Sequence, residues 1–152
     1  MKKIETKILN PKIGKDFPIP SYATEGSAGM DIRACIDEPL TIDPGETHVI
    51  PSGFAIHISD PSMVAILVPR SGLGIKHGIV LANLCAVIDS DYLGEIRVGL
   101  WNRGKKQYTV QPGERICQML FIPVFQVELD IINEFSKTTE RGEGGFGSTG
   151  NH

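Results

Sequence analysis

A chain of 152 residues is long enough for one domain that buries a core without disulfides or metals, and 41% hydrophobic residues exclude a disordered polymer. Seventeen glycines and ten prolines exceed the ordinary share of about 12% and argue for short strands and many turns over a helical bundle. A formal net charge of −3 excludes binding to nucleic acid through the overall field, and no apolar run approaches the roughly 20 residues of a membrane span.

In chain order, the basic start at Lys2 and Lys3 runs into charges and Pro11, where a secretion signal would need an apolar stretch. The expectation is a cytoplasmic, intracellular protein. Residues 4–9 read as a first strand, and residues 11–29, with Pro11, Pro18 and Pro20, as an irregular arm laid over the core. Strands are then expected at 29–34, 47–50, 54–58, 64–68, 79–81, 85–88, 95–101, 107–110, 116–123 and 125–131. Turn chemistry separates them at Asp43-Pro44-Gly45, Pro51-Ser52-Gly53, Asp60-Pro61-Ser62, the acidic stretch 89–94 and Gln111-Pro112-Gly113. One short helix starts near Ser71 as its cap and ends by Gly78. The reading is an all-β, jelly-roll-like β-sandwich over residues 1–136. A Gly-, Ser- and Thr-rich tail follows over 137–152 and reads as a flexible arm.

Cys35, Cys85 and Cys117 are odd in number and widely spaced, which fits reduced thiols. His48, His57, His77 and His152 have no metal-ligand spacing. Two nucleotide-like patterns fail on context. Gly142-Glu143-Gly144-Gly145-Phe146-Gly147 has the letters of a dinucleotide fingerprint, but only five residues follow it. Gly99-x4-Gly104-Lys105 lacks the Ser or Thr of a phosphate loop and is followed by a strand and a turn, not a helix.

Four stretches combine glycine, arginine and acid in ways a plain β core does not need. Pro69-Arg70-Ser71-Gly72 puts a forked donor and backbone amides at a helix start, which suits phosphate, although an ordinary turn with an exposed arginine would read the same way. In residues 28–34, Asp31 and Arg33 share one strand face, where a surface salt bridge is the plainer alternative. In residues 83–96, an apolar strand enters an acidic turn and leaves as another strand, placing Asp89 at the end of a buried strand as a candidate base. Arg141 opens a glycine-rich strip that carries Phe146 and Ser148 and could fold over a nucleotide.

Taken in this order, the stretches resemble the trimeric dUTP pyrophosphatase family, usually called dUTPase. Five family motifs match residues 28–34, 69–79, 83–96, 113–118 extending to 123, and 141–150. The resemblance implies a dUTPase-like β-clip subunit and a homotrimer whose three active sites lie between subunits. It implies magnesium-dependent hydrolysis of dUTP to dUMP and pyrophosphate, which keeps uracil out of DNA and supplies dUMP for thymidylate synthesis.

By the same resemblance, Asp89 activates the water that attacks the α-phosphorus, and Arg70, Ser71 and Gly72 bind phosphate. Gln118 stands at the phosphate–water site, and Asp31 holds water around Mg2+, which is carried mainly by the substrate phosphates. Asn83 and the backbone of Val87, Ile88 and Asp89 contact uracil and sugar, with Tyr92 packed on the deoxyribose. Arg97 lies near the ligand. Arg141, Phe146 and Ser148 belong to the arm that closes over a neighbouring subunit's site. One departure is Ala86, where the family usually has glycine, so the hairpin must tolerate a β-carbon there. A deaminase on the same fold would need a glutamate near Asp89, and Glu95 alone offers one.

Overall fold

The computed structural model describes residues 1–145. The elements in chain order are β1 (Glu5–Ile8), β2 (Gly29–Arg33), β3 (Leu40–Ile42), β4 (Thr47–His57), β5 (Met63–Pro69), α1 (Ser71–Lys76), β6 (Ile79–Leu81), β7 (Ala86–Ile88), β8 (Glu95–Asn102), β9 (Tyr108–Val110) and β10 (Arg115–Pro123). They form one four-stranded sheet in the order β1-β4-β8-β6, a second in the order β2-β10-β5-β7, and the small pair β3-β9. All these pairings are antiparallel. The chain passes back and forth between the two large sheets, which makes the fold a jelly-roll-like sandwich and not a closed barrel.

Period-2 alternation decides which side chains face inward. In β8, Ile96, Val98 and Leu100 are buried, and Ile32, Leu67, Ala65, Ile88, Cys117 and Met119 of the second sheet belong to the same core. The opposite face of the second sheet carries Asp31, Gln118, Val68, Ile66 and Val87, none of them fully buried. This outer face bears the candidate chemistry.

Several expectations are corrected. Residues 47–50 and 54–58 belong to one strand, β4, because Pro51-Ser52-Gly53 is a bulge and not a turn: Pro51 pairs with Arg97, but the next partner pair is Ala55 with Glu95. Gly53 makes this possible with φ +80, and its N–H donates to Glu95 Oε1 at 3.0 Å. The helix begins at Ser71, yet its N-cap is Arg70, and no side chain caps it. It ends as expected, with the His77 N–H bonded to Leu73 O and Gly78 following at φ +74. Strand β3 escaped the reading because Leu40-Thr41-Ile42 is too short to show a period. Residues 125–131 are not a strand in this chain: Phe125, Val127, Leu129 and Ile131 are 80–94% exposed. They alternate like a strand, but among the described residues no neighbouring strand pairs with them.

Candidate active site

The second sheet aligns the first group of predicted residues by register. Asp31 of β2 lies opposite Gln118 of β10, and Gln118 lies opposite Val68 of β5. Directly opposed residues point to the same face, so Asp31, Gln118 and Val68 form a row on the outer side. With Ser27, Gly29 and Leu120 they line a hollow of about 260 Å³.

Two residues beyond Val68, Arg70 turns back over this row. Its Nε lies 2.9 Å from Asp31 Oδ1, and its Nη1 donates to the Arg115 carbonyl at 3.2 Å. Arg115 Nη1 donates to Asp31 Oδ2 at 3.1 Å. The Arg70 contact to Oδ1 is an ion pair off the line of a hydrogen bond, so Oδ1 is buried without a hydrogen-bond partner. The alternative Asp31–Arg33 salt bridge does not form; Arg33 Nη1 donates instead to Gly113 O at 2.8 Å. Ser71 and Gly72 open α1 at the surface. Own-chain packing gives no reason for glycine at 72, since a β-carbon there would meet no atom within 4 Å.

Sequence reasoning missed Arg115. It sits at a bulge: Arg115 pairs with Arg33, and the next pair is Cys117 with Ile32, leaving Ile116 as an extra residue. Strict alternation would put Arg115 on the same side as buried Cys117 and Met119. The inserted residue moves it to the outer face beside Asp31, while Ile116 and Cys117 both stay buried. Burial and the nearby Asp31 charge push the Cys117 thiol up to about 12.

The second group lies at the other end of the same face. Val87 of β7 is opposite Ile66 and is exposed, whereas Ile88 is opposite Ala65 and is buried. Asp89 follows at the start of the turn, exposed, and lines an open groove of about 880 Å³ with Val64, Ile66, Val87, Asp91 and Ile122. The turn is tight, with Tyr92 N donating to Asp89 O at 3.2 Å and Tyr92 Oη donating to Glu95 O at 3.0 Å. A β-carbon on Gly94 would run into the Tyr92 ring, so glycine is what lets the tyrosine fold back while 44% of its surface stays open. Asn83 is exposed in the preceding turn, where Leu84 holds φ 62. Ala86 packs its methyl against the core, away from the outer face. The β-carbon is accommodated.

Glu95 is tethered by Gly53 N–H at 3.0 Å and Arg97 Nε at 3.3 Å, so both of its oxygens serve the bulge and the strand. Arg97 itself is exposed on the first sheet. Arg141 donates from Nε to Gly144 O at 3.0 Å within its own turn, and Phe146 and Ser148 lie outside the described residues. The near phosphate-loop pattern is, as expected, a strand end and loop: Gly104 leads to β9 and not to a helix.

The two groups do not meet in one chain. Asp89 is one step past the Ile88–Ala65 pair, while the Asp31–Gln118 row crosses β5 at Val68, and three strand steps separate β7 from β2. At about 3.3 Å per residue and 4.8 Å per strand, their backbones are on the order of 20 Å apart. Among the described residues no three His, Cys, Asp or Glu side chains form a metal site. Asp31, a single carboxylate set between Arg70 and Arg115, suits contact with a metal-bound water and not a ligand cage. Among the described residues no helix is long and apolar enough to cross a membrane.

Comparison with known proteins bears on family and fold. The dUTPase family model matches residues 15–150. The deoxyuridine 5'-triphosphate nucleotidohydrolase of Serratia proteamaculans (strain 568) is 58% identical over 152 residues, covering 100% of this chain and 99% of its own. The protein of the same name from Escherichia coli O9:H4 (strain HS) is 57% identical over 150 residues, covering 99% of each. Among solved structures, the Staphylococcus bacteriophage 80alpha dUTPase with dUPNHPP superposes with a TM-score of 0.86 at 26% identity, covering 99% of both chains. A mutant dUTPase from phage phi11 of S. aureus, described with a structural Mg(II) ion, shares the fold at a TM-score of 0.77 and 21% identity, over 90% of this chain and 100% of that one. On the family match and the full-length identity, the chain belongs to the dUTPase family.

Proposed function

We propose that this chain hydrolyses dUTP to dUMP and pyrophosphate at sites completed by neighbouring copies in a homotrimer. The observation that carries the reading is the separation of some 20 Å, on one sheet face, between Asp89 and the Arg70–Asp31–Gln118 group. A single phosphate chain cannot touch both groups of one subunit, but it can if Asp89 of one subunit faces the arginine group of another. The strand-like stretch 125–131, left exposed in its own chain, supplies apolar surface for such an association.

In this reading the 83–92 hairpin takes the nucleoside. Backbone groups at Val87, Ile88 and Asp89 and the Asn83 side chain pair with uracil, and Tyr92 packs on the sugar, leaving no room for a 2′-hydroxyl. Cytosine reverses the donor–acceptor pattern and strands a buried polar group, at a cost of about 1–3 kcal/mol. Asp89 takes a proton from the water that attacks the α-phosphorus, and pyrophosphate leaves.

Arg70, the Ser71 and Gly72 amides, Gln118 and, from the arm 137–152, Arg141 bind the phosphates and stabilise charge as the bond breaks. Phe146 and Ser148 complete the arm, and Arg97 lies near the ligand. Mg2+, when bound, neutralises phosphate charge. Asp31 would hold a water of the metal. The product dUMP serves thymidylate synthesis, and removal of dUTP keeps uracil out of DNA, as expected of a cytoplasmic enzyme.

The test is pyrophosphate release from dUTP, dCTP, dTTP and UTP with and without Mg2+, together with sedimentation of the same preparation. Selective, Mg2+-dependent turnover of dUTP by a trimer is the expected outcome. A monomer, or equal rates on all four nucleotides, would overturn the reading.

A further inference from the structure

We propose that Arg115 is a positioning residue that keeps Arg70 available to phosphate by holding one oxygen of Asp31, so that the carboxylate does not close on Arg70 with both. The inference rests on the reading of Arg70 as a phosphate-binding residue.

A carboxylate beside a single guanidinium closes on it with two parallel N–H···O bonds, the strongest geometry open to the pair. Asp31 and Arg70 are near enough to do so, with Nε 2.9 Å from Oδ1. They do not. Oδ2 is taken by Arg115 Nη1 at 3.1 Å, and Oδ1 faces Arg70 Nε without hydrogen-bond alignment. The Arg115 carbonyl also accepts Arg70 Nη1 at 3.2 Å, so one residue fixes both partners, Asp31 by its side chain and Arg70 by its backbone. Among the described residues, Arg70 therefore keeps most of its five N–H donors uncommitted, and a quarter of its side chain is exposed.

The bulge at Ile116 makes this arrangement possible. Without the extra residue, alternation along β10 would send the Arg115 side chain toward the core. The Arg115 side chain is about half exposed, so core packing does not require it. Its absence would free Asp31 Oδ2 to swing onto Arg70. The arginine would then be tied up by its own chain and the phosphates would lose a donor.

The prediction separates phosphate capture from nucleoside binding. Calorimetric titrations without Mg2+ would compare the non-hydrolysable analogue α,β-imido-dUTP with dUMP, on wild type, Arg115→Ala, Arg115→Lys and the double variant Arg115→Ala with Asp31→Asn. Arg115→Ala is expected to bind the analogue about tenfold more weakly, the worth of one charge-assisted hydrogen bond, while dUMP binding stays near wild type. Arg115→Lys, which still donates to Oδ2, should retain most of the affinity. Adding Asp31→Asn should restore analogue binding, because a neutral amide does not trap Arg70; loss of mere structural support would not be rescued by removing a second partner.

Wild-type affinity in Arg115→Ala overturns the proposal, as does equal loss of analogue and dUMP, or failure of Asp31→Asn to restore binding. If thermal melting shows that Arg115→Ala does not fold, Arg115→Met, which fills the space but donates nothing to Oδ2, takes its place, with the same expected loss and rescue. A wild-type protein with no preference for the analogue over dUMP refutes the phosphate role of Arg70 itself, a different result from a wild type that discriminates and an Arg115→Ala variant that does so equally well.

Discussion

The two ends of the outer sheet face carry the same kind of residue, an aspartate, in opposite circumstances. Asp31 is mostly buried and lies between two guanidiniums, with one oxygen hydrogen-bonded and the other against Arg70. Asp89 is exposed at the mouth of a tight turn, and among the described residues no side chain of this chain binds its carboxylate. A carboxylate held between two arginines anchors its neighbours. Asp89, on its tight hairpin, faces open space. Two chemically identical groups thus stand in different surroundings along a single β-sheet.

The sharpest way to break this comparison is to neutralise each end in turn. Asp89→Asn should bind α,β-imido-dUTP with little change and lose turnover by about 10³-fold, the usual worth of a positioned base. Rapid-quench measurement of pyrophosphate release checks it, and retained turnover would remove Asp89 from the chemistry. The next largest effect is expected from the arm. A chain ending at Lys137 should keep its fold and assembly but lose activity on the order of 100-fold, comparable to the loss of a main transition-state donor. Sedimentation and initial rates together decide this, since undiminished rates would leave residues 138–152 without a catalytic part.

Much of this arrangement was legible before the structure. The β-rich runs and their turns located nine of the ten strands among the described residues to within a few residues, because most of them alternate on a two-residue period and are bounded by Gly and Pro. Pro69-Arg70-Ser71-Gly72 and the 83–92 hairpin stood out by composition alone. What escaped the reading were the places where the period breaks. Pro51-Ser52-Gly53 has the chemistry of a turn, but the glycine at φ +80 folds it into a bulge inside one long strand. Arg115 could not be assigned, because an inserted residue changes its face and nothing in the local letters announces the insertion. The pattern at 125–131 was read as a strand from its alternation, yet a strand exists only with a partner, and this chain supplies none among its described residues. The distance between Asp31 and Asp89 could not be read at all; it is a property of strand order.

The two bulges sharpen the comparison from the stability side. The one at Gly53 is structural: a β-carbon there would lie 2.6 Å from Cys35 Sγ and 2.9 Å from Ile13 Cγ1, in a backbone conformation that disfavours L-residues. Gly53→Ala should therefore cost about 3 kcal/mol in a urea melt, from strain and overpacking together. The phosphate side should be untouched, with analogue affinity unchanged at low temperature. A loss of affinity without loss of stability would mean that the two bulges are coupled and that the outer face is less independent than its register implies.

The smallest effect concerns Cys117, which lies on the core side of the same β10 segment that carries Arg115 and Gln118. Its thiol is held up at about 12, against an ordinary 9.0, by burial first and by Asp31 second. A folded state that raises a thiol's value binds the proton more tightly than the unfolded chain does. The resulting stability is complete below pH 9.0 and is lost as the pH rises from there toward about 12. Urea midpoints measured from pH 8 to 10.5 should fall in wild type and fall less in Cys117→Ala, after allowing for the cavity the substitution leaves. Iodoacetamide at pH 8 should label exposed Cys85 in the folded protein and reach buried Cys35 and Cys117 only after unfolding. Equal alkaline slopes for the two proteins, or rapid labelling of all three thiols, would show that the core beneath the outer face opens far more readily than its burial indicates, and the contrast between a rigid arginine-held end and an exposed hairpin end would lose its foundation.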